Sequence, residues 1–426
     1  MSNSKIISAI DIGSTKVTTL IAQHFPEDDK VNVIGVYTTP SKGIRKGQVI
    51  NIEKAIESIL ESVEEAERMA GLSIGKAIVG ITAPYISSIN SSGVVAVSEP
   101  SKEISQEDVD RVIEAARAVS LPTSTQTLHV TPRQFIVDGQ EGIIDPKGMT
   151  GVRLEVDTNI ITGSSPAIKN LVRCINEVGI EIQDIAYSGL ASSYTVLSET
   201  EKELGVILVD IGGTTTSITV FIENSPCFAR VIPVGSENVT NDLAIGLRLQ
   251  LEEADKLKIF LSNPKEKSSK GEDELDEIDL YKEGISMQEG KKISKDIAVD
   301  GIMKARIEEI FNLVAEQITD SGYGGSTPAG IVITGGGSML KDIEKTCSKV
   351  IGLPVRIGYP KEMMGLVDEI MTPSYSSTFG LIEYAINRNF SGSSKQSFKT
   401  KIDIIPKVDV KGIFQKIVNM IKPLLP

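Results

Sequence analysis

Ser8-Ala9-Ile10-Asp11-Ile12-Gly13-Ser14-Thr15-Lys16-Val17 decides the fold, because its core phrase returns as Val209-Asp210-Ile211-Gly212-Gly213-Thr214-Thr215. Each copy follows an apolar run that reads as a strand, residues 6–10 and 206–209, and each leads into a second such run, residues 17–21 and 217–222. Strand, tight glycine turn and strand together predict a hairpin. The glycines bare backbone N–H groups so that a phosphate can approach them. Hydroxyls at Ser14, Thr15, Thr214, Thr215 and Thr216 add donors. The carboxylates of Asp11 and Asp210 repel phosphate but suit the water shell of a Mg²⁺ ion, which prefers oxygen ligands. One such turn is usually an ordinary hairpin. Two in matching strand contexts predict a clamp for a triphosphate.

A chain of 426 residues exceeds one compact core, so two lobes are expected. Hydrophobic content of 40% with 24% charge is that of a globular protein. No Trp and 4% aromatics leave little material for a base-stacking platform, and a formal charge of -13 argues against a nucleic-acid partner. Cys174, Cys227 and Cys347 are isolated and read as buried structural thiols in a reducing cytoplasm. His24 and His129 have no Cys/His cluster around them, so neither a zinc site nor triad chemistry is expected. The polar start runs directly into a strand, so no signal peptide is expected, and no apolar stretch approaches the length of a membrane span.

Asn51 is placed to cap a helix over 52–70, apolar at Ile56, Ile59, Leu60, Val63, Ala66 and Met69 and stopped by Gly71. A strand follows over 76–81. The pattern changes at Pro84, with a strand over 94–97, a helix over 105–120 capped by Ser105, and alternating strands over 134–137 and 152–161. Ser165-Pro166 then opens a helix that ends before Gly179. Residues 84–162 are expected to form an inserted α+β subdomain within a first lobe made of 1–83 and 163–197; the alternative is that they extend one sheet. A second lobe is expected over 198–371, with a distal subdomain at about 243–315, and a return helix over 372–390. Within that lobe 239–260 reads as helical and 261–300 as a solvated loop with short strands. Residues 302–318 read as a helix whose Ile307, Ile310, Phe311, Val314 and Ile318 share a face.

A third glycine turn, Thr334-Gly335-Gly336-Gly337-Ser338, follows a buried strand and is expected to open a helix over 339–350. Such a turn lets backbone lie against a planar ligand or turns helix N–H groups toward an anion. Alone, it is equally a glycine-rich loop with no ligand.

Two such hairpins about 200 residues apart, followed by the strand-GGGS turn, resemble the actin-like ATPase superfamily. Tyr187-Ser188-Gly189-Leu190-Ala191-Ser192 and Ser376-Ser377-Thr378-Phe379-Gly380-Leu381-Ile382 are similar to its lobe-connecting helices, where small residues permit a close crossing. Lys76 to Gly80, Arg133 to Gly139, Gly151 to Val156 and Ile245 to Arg248, with the placement of the insertion, are similar to the FtsA family of bacterial cell-division actin homologues. The match runs from about residue 5 to 390 and continues at the C-terminus; the insertion sets it apart from actin, MreB and the heat-shock chaperones. The resemblance implies an α/β, two-lobed actin-like (ribonuclease-H-like) ATPase fold with an inserted α+β subdomain and a C-terminal amphipathic helix. It implies ATP as ligand, with phosphates at Asp11, Gly13, Ser14, Thr15, Lys16, Asp210, Gly212, Gly213, Thr214 and Thr215. Mg would be held through water by Asp11 and Asp210, and adenosine by Gly335, Gly336, Gly337, Ser338, Asp255 and Lys258. In the adenosine-contacting helix the family's usual acid is Glu; Asp255 is shorter. The partners implied are the C-terminal peptide of the tubulin-like division protein FtsZ near Arg306 and Glu309, further copies of the chain in a filament, and other division proteins.

Residues 391–406 are Ser/Gly/Lys-rich and read as a linker. Over 407–426, Val410, Ile413, Phe414, Ile417, Met420, Ile421 and Leu424 fall on one helical face, flanked by Lys407, Lys411, Lys416 and Lys422. From residue 395 onward seven lysines face Asp403 and Asp409, a local charge of +5 on an acidic chain. A basic amphipathic segment on a tether suits an anionic membrane surface; the alternative is docking on the chain's own body. Burial of those seven apolar side chains is worth roughly 10 kcal/mol gross, most of which helix ordering and lost motion remove. Single-chain attachment is therefore expected to be reversible and firm only for linked copies.

The reading is an ATP-binding cell-division protein that polymerises and ties the FtsZ ring to the cytoplasmic face of the membrane at the division site. Phosphoryl transfer needs a group to orient water, and no histidine or evident base accompanies either turn, so any ATPase activity is expected to be weak or coupled to assembly. A small-molecule kinase of the same superfamily, or a pilus-type actin-like scaffold, is the alternative.

Overall fold

The structure, a computed structural model, describes residues 4–28, 30–97, 103–263, 277–366 and 370–390. The amphipathic segment and its linker therefore lie outside the described residues, with Val410, Lys411, Ile413, Phe414, Lys416, Ile417 and Ile421 among them. No helix of the described residues is long and apolar enough to cross a membrane.

Two sheets share one plan. In the first, Lys5–Ile12 pairs antiparallel with Lys16–Phe25, which pairs antiparallel with Lys30–Pro40. On the other side of Lys5–Ile12, Lys76–Ile81 and then Glu181–Tyr187 are added in parallel. In the second, Val206–Ile211, Thr216–Ile222 and Ser225–Ile232 form the antiparallel meander, and Ile331–Thr334 and Val355–Ile357 are added in parallel. The repeated order explains why the glycine phrase recurs: in both lobes it closes the first hairpin at the carboxyl end of the central strand, where open α/β sheets bind ligands.

Local chemistry sets the element ends. Asn51 accepts the Lys54 N–H at 3.0 Å to start helix Ile52–Ala70, and Gly71 closes it at φ 68°. Ala55, Ile59, Val63 and Ala66 are buried beneath that helix, whereas Leu60 and Met69, read as part of its apolar face, are exposed. Between Lys76–Ile81 and the helix Ser165–Glu177 lie strands Ser87–Ala96, Thr125–Val137, Gln140–Ile143 and Arg153–Ser164, and the helix Gln106–Arg117. Ser105 and Asp108 form a reciprocal capping box for that helix. The strands are longer than the alternation of their sequences predicts, and they do not stand apart. Ser87 pairs with Arg230 of strand Ser225–Ile232, joining the strands of the insertion to the second-lobe sheet in one nine-stranded run. Ser88 Oγ accepts the Ala229 N–H at 2.7 Å, and Asn159 donates to the Cys227 carbonyl at 3.0 Å, across the same seam.

In the second lobe one expectation is refined and two need correction. Residues 239–260 are two helices, Ser236–Leu247 and Leu251–Ser262. Arg248 ends the first in the left-handed region at φ 52°, buried Leu249 turns inward, and Gln250 with Glu253 caps the second. Within 261–300 the described residues hold strands Glu277–Asp279 and Lys292–Ser294, but also a π-helical turn, Ile297–Met303, with Ala298, Val299 and Met303 buried. That turn runs into helix Lys304–Ser321. After the third glycine phrase the chain makes a 3₁₀ turn, Gly336–Met339, and the helix begins only at Ile343, because Asp342 sits at φ 56°.

Helices Ser188–Val196 and Ser376–Phe390 cross between the sheets. They touch backbone to backbone: a side chain at Gly380 would run into the Ala191 carbonyl. Small residues at the crossing thus bring both helix starts to the strand ends of the two lobes.

Candidate nucleotide site

The two hairpin turns face each other across one cleft of about 970 Å³. They approach so closely that a side chain at Gly213 would collide with Thr15. The second turn is stitched to the helix behind it, the Gly212 and Gly213 carbonyls accepting the Ser236 and Glu237 N–H groups at 2.9 and 2.7 Å. In a trans peptide the next N–H points the opposite way, so those of Gly213 and Thr214 are directed away from that helix. The N–H groups of Gly213, Thr214 and Thr215 make no backbone hydrogen bond among the described residues. Thr214 Oγ1 is buried and has no partner. A buried donor left unpaired is costly, and an anion's oxygens would satisfy it.

Hydroxyls from the crossing helices hold both carboxylates. Asp11 Oδ1 accepts from Ser188 Oγ at 3.1 Å, and its Oδ2 from Ser377 at 2.5 Å and Thr378 at 3.5 Å. Asp210 Oδ2 accepts from Ser192 Oγ at 2.8 Å. Each carboxylate also lies over a glycine of the adjacent parallel strand or its turn. A Cβ at Gly80 would sit 2.8 Å from Asp11 Oδ1, and one at Gly335 would overlap Asp210 Oδ1. Gly335 adopts φ 83°, which glycine reaches without strain.

Lys16 shares the cleft with the two acids and feels the charge of both. Burial lowers its pKa to about 8, while Asp11 and Asp210 pull it back upward. Burial raises the Asp210 carboxyl to about 6; Ser192 and Lys16 oppose that shift and Asp11 adds to it. An acid held near neutrality beside a partly desolvated ammonium is a charge cluster awaiting counter-charges, a common signature of a binding site.

The cleft collects Asp11, Gly13, Ser14, Thr15, Lys16, Asp210, Gly212, Gly213, Thr214 and Thr215, together with Asp255, Lys258, Gly335 and Gly336. Gly337 and Ser338 are not in its wall: both are buried, and the Ser338 hydroxyl turns back to the Gly335 carbonyl at 2.8 Å. Lys258 Nζ bridges Asp255 and Thr240 at 2.6 and 2.8 Å, so the acid one carbon short of the expected Glu is tied to its own helix and its neighbour. Ser14 Oγ accepts from the Gly47 N–H at 2.8 Å. Arg306 and Glu309 lie outside the wall, on helix Lys304–Ser321. There Arg306 pairs with Asp242 at 2.9 Å and with Glu309 at 2.7 Å. Sequence reasoning did not assign Glu237, Thr240, Asn241 or Ser374 to the wall, nor the hydroxyls of Ser188, Ser192 and Ser377 to the carboxylates.

The residues present fit a Mg²⁺-bound nucleotide: bare N–H groups and the orphaned Thr214 hydroxyl suit phosphate, and two hydroxyl-held carboxylates suit a hydrated dication.

Family models match two parts of the chain, one described as "SHS2 domain inserted in FTSA" over residues 84–162 and one as "Cell division protein FtsA" over 207–380. The cell division protein FtsA of Pseudomonas aeruginosa is 36% identical over 419 residues, covering 96% of this chain and 98% of that one. The FtsA of Bacillus subtilis is 38% identical, covering 97% and 90%. This chain belongs to the FtsA family. FtsA of Escherichia coli is likewise 32% identical, covering 92% of this chain and 93% of that one. Among solved structures, a PilM-PilN type IV pilus biogenesis complex matches with TM-score 0.62 at 14% identity, covering 89% of this chain and 98% of that one. MreB5 of Spiroplasma citri bound to ADP matches with TM-score 0.51 at 14% identity, covering 91% and 99%. At such identities the likeness shows the fold, which is two-lobed and actin-like. FtsA relatives matching nearly end to end leave the kinase and pilus-scaffold alternatives unfavoured.

Proposed function

We propose that this FtsA-family chain binds Mg·ATP between its two hairpins, assembles into filaments while the cleft is closed, and ties the FtsZ ring to the cytoplasmic face of the membrane at the division site. The observation that carries the nucleotide reading is the opposition of two glycine turns across one cleft, with the Thr214 Oγ1 atom buried and unpartnered and Lys16 in the field of two acids. Lys16 and the bare N–H groups would take the phosphates. Gly335 and Gly336 offer flat backbone for adenosine, with Asp255 and Lys258 on the facing helix. When bound, Mg²⁺ supplies neutralisation between the phosphates and the two carboxylates. Asp11 and Asp210 are held by serine hydroxyls, which set the direction of their remaining lone pairs. No residue here is assigned as a base for water, and hydrolysis is accordingly slow or coupled to assembly.

Membrane attachment rests on the basic amphipathic stretch after residue 406, and FtsZ peptide binding on the face around Arg306 and Glu309. Because Arg306 already holds Asp242 and Glu309, an incoming peptide carboxylate would have to exchange with one of them.

The test is a titration of the full chain with a fluorescent ATP analogue in Mg²⁺, followed by sedimentation with anionic liposomes beside a chain ending at residue 405. Saturable binding and tail-dependent sedimentation are expected. Folded protein that binds no nucleotide would defeat the cleft reading, and equal sedimentation of the two chains would defeat the tether.

A further inference from the structure

One helix reaches both carboxylates. Ser188, at the start of Ser188–Val196, donates to Asp11 Oδ1 at 3.1 Å; Ser192, one turn later, donates to Asp210 Oδ2 at 2.8 Å. Residues four apart lie on one helical face with about 5–6 Å between their Cβ atoms. Asp11 belongs to the first-lobe sheet and Asp210 to the second, so the pair of hydroxyls spans the division between lobes. We propose that Ser188 and Ser192 are positioning residues that set the spacing and the plane of the two carboxylates facing the metal, so that the helix acts as a gauge between the lobes. This rests on the reading of the cleft as a Mg²⁺–nucleotide site.

The physical reason is that a carboxylate plane is poorly fixed by its own torsion, a broad two-fold well. A donor on one oxygen fixes the plane, and with it the direction of the remaining lone pairs. Mg²⁺ demands near-octahedral placement of its oxygens, so misdirected lone pairs weaken it sharply. Packing alone does not call for hydroxyls. At these buried helix positions alanine would fill the crossing as well, as Ala191 does between them, and alanine is the better helix former. Ser192 Oγ lies 2.9 Å from the Ser188 carbonyl as well as 2.8 Å from Asp210, so its one proton is shared between the helix and the carboxylate. Ser193 shows the contrast: it is also buried on this helix, but its hydroxyl bonds the Leu190 carbonyl at 2.7 Å and reaches no carboxylate.

The experiment measures the affinity of the full chain for a fluorescent ATP analogue in excess Mg²⁺ and again in EDTA, with the ligand-free melting temperature recorded for each variant. Ser192→Ala is expected to lose about tenfold or more of the gain in affinity that Mg²⁺ confers, the usual loss for a group supporting a metal-side ligand. Ser188→Ala, which leaves Asp11 its Ser377 and Thr378 donors, is expected to lose a smaller part of that gain. Their affinity in EDTA is expected to stay within about threefold of the parent. Ser193→Ala is expected to keep the whole gain. A Ser192→Ala chain that melts below the assay temperature leaves Ser188→Ala to be read alone, because Asp11 keeps its Ser377 donor. An undiminished Mg²⁺ gain in the soluble serine variants, or an equal loss in Ser193→Ala, overturns the assignment while the nucleotide site stands. Failure of the parent chain to bind nucleotide overturns both.

Discussion

The Lys16 ammonium lies 3.7 Å from the centre of the Tyr375 ring. Lys16 follows the first glycine turn, and Tyr375 ends the short 3₁₀ turn that leads into the return helix. The ring face thus stabilises a charge that the cleft otherwise desolvates. Lys16→Met is expected to weaken ATP binding tenfold or more, since a charge-assisted bond to phosphate is worth about 1.5–3 kcal/mol. Tyr375→Leu is expected to cost the ligand-free chain roughly 0.5–2 kcal/mol in chemical denaturation. Parental affinity in Lys16→Met would remove that lysine from the phosphate site.

The lowered pKa of Lys16 links binding to pH. In the ligand-free chain this ammonium gives up its proton near pH 8, not near the ordinary 10.5. Phosphate oxygens beside it favour the charged form, so binding takes up a proton above that pH. ATP affinity is therefore expected to fall as pH rises beyond about 8, by at most about tenfold per unit. Calorimetry in buffers of different ionisation enthalpy reads the proton uptake directly. A pH-independent heat and affinity between 7 and 9.5 would contradict it.

Asp210 predicts a trade between stability and ligand binding. Its carboxyl titrates at about 6 when folded and near 3.8 in an unfolded chain. The native state holds the proton longer, so this group favours folding most at low pH and loses that contribution as pH rises through 6. Asp210→Asn is expected to melt higher than the parent at pH 8, with the difference shrinking toward pH 4, while losing the Mg²⁺-dependent part of nucleotide binding. His129 works with the opposite sign over part of this window. Burial lowers it to about 3, and it accepts the Tyr187 N–H at 3.0 Å, so acid penalises folding there. His129 is common to both chains and cancels in the comparison. A lower melting temperature for Asp210→Asn at pH 8 would refute the argument.

Gly380 tests the helix crossing. In an unobstructed helix, Gly→Ala stabilises by about 1 kcal/mol. Here the added carbon meets the Ala191 backbone, and overpacking costs about 1–3 kcal/mol. Gly380→Ala is expected to be net destabilising in urea and to weaken nucleotide binding, because Ser377 and Thr378 on the same helix hold Asp11. A stabilised variant would show that the helices can separate without penalty.

What the sequence revealed was chiefly what short-range physics dictates. The hairpins around Asp11 and Asp210 declare themselves through alternation and glycine, and helix Ile52–Ala70 through Asn51 and Gly71. The break at Arg248 has no Gly or Pro at its left-handed position, Gly246 lying inside the last turn of the helix before it, and is written chiefly in the Gln250–Glu253 capping pair and the burial of Leu249. The serine–aspartate bonds were beyond reach for another reason. Ser377 and Asp11 are 366 positions apart, and a serine in a small-residue helix signals close packing before it signals a donor. The Ser188-x-x-x-Ser192 spacing was the available hint. Gly337 and Ser338 illustrate the reverse error: membership of a glycine turn does not determine which of its residues face the cleft.

Ser87 and Arg230 close a single bridge between the insertion and the second-lobe sheet, although the chain enters and leaves that insertion from the first lobe. The insertion is thus spliced covalently to one half of the molecule and laced by hydrogen bonds to the other. A pull on its outer strands would be shared by both halves, and prising the halves apart would first have to unlace Ala229 from Ser88 and Asn159 from Cys227.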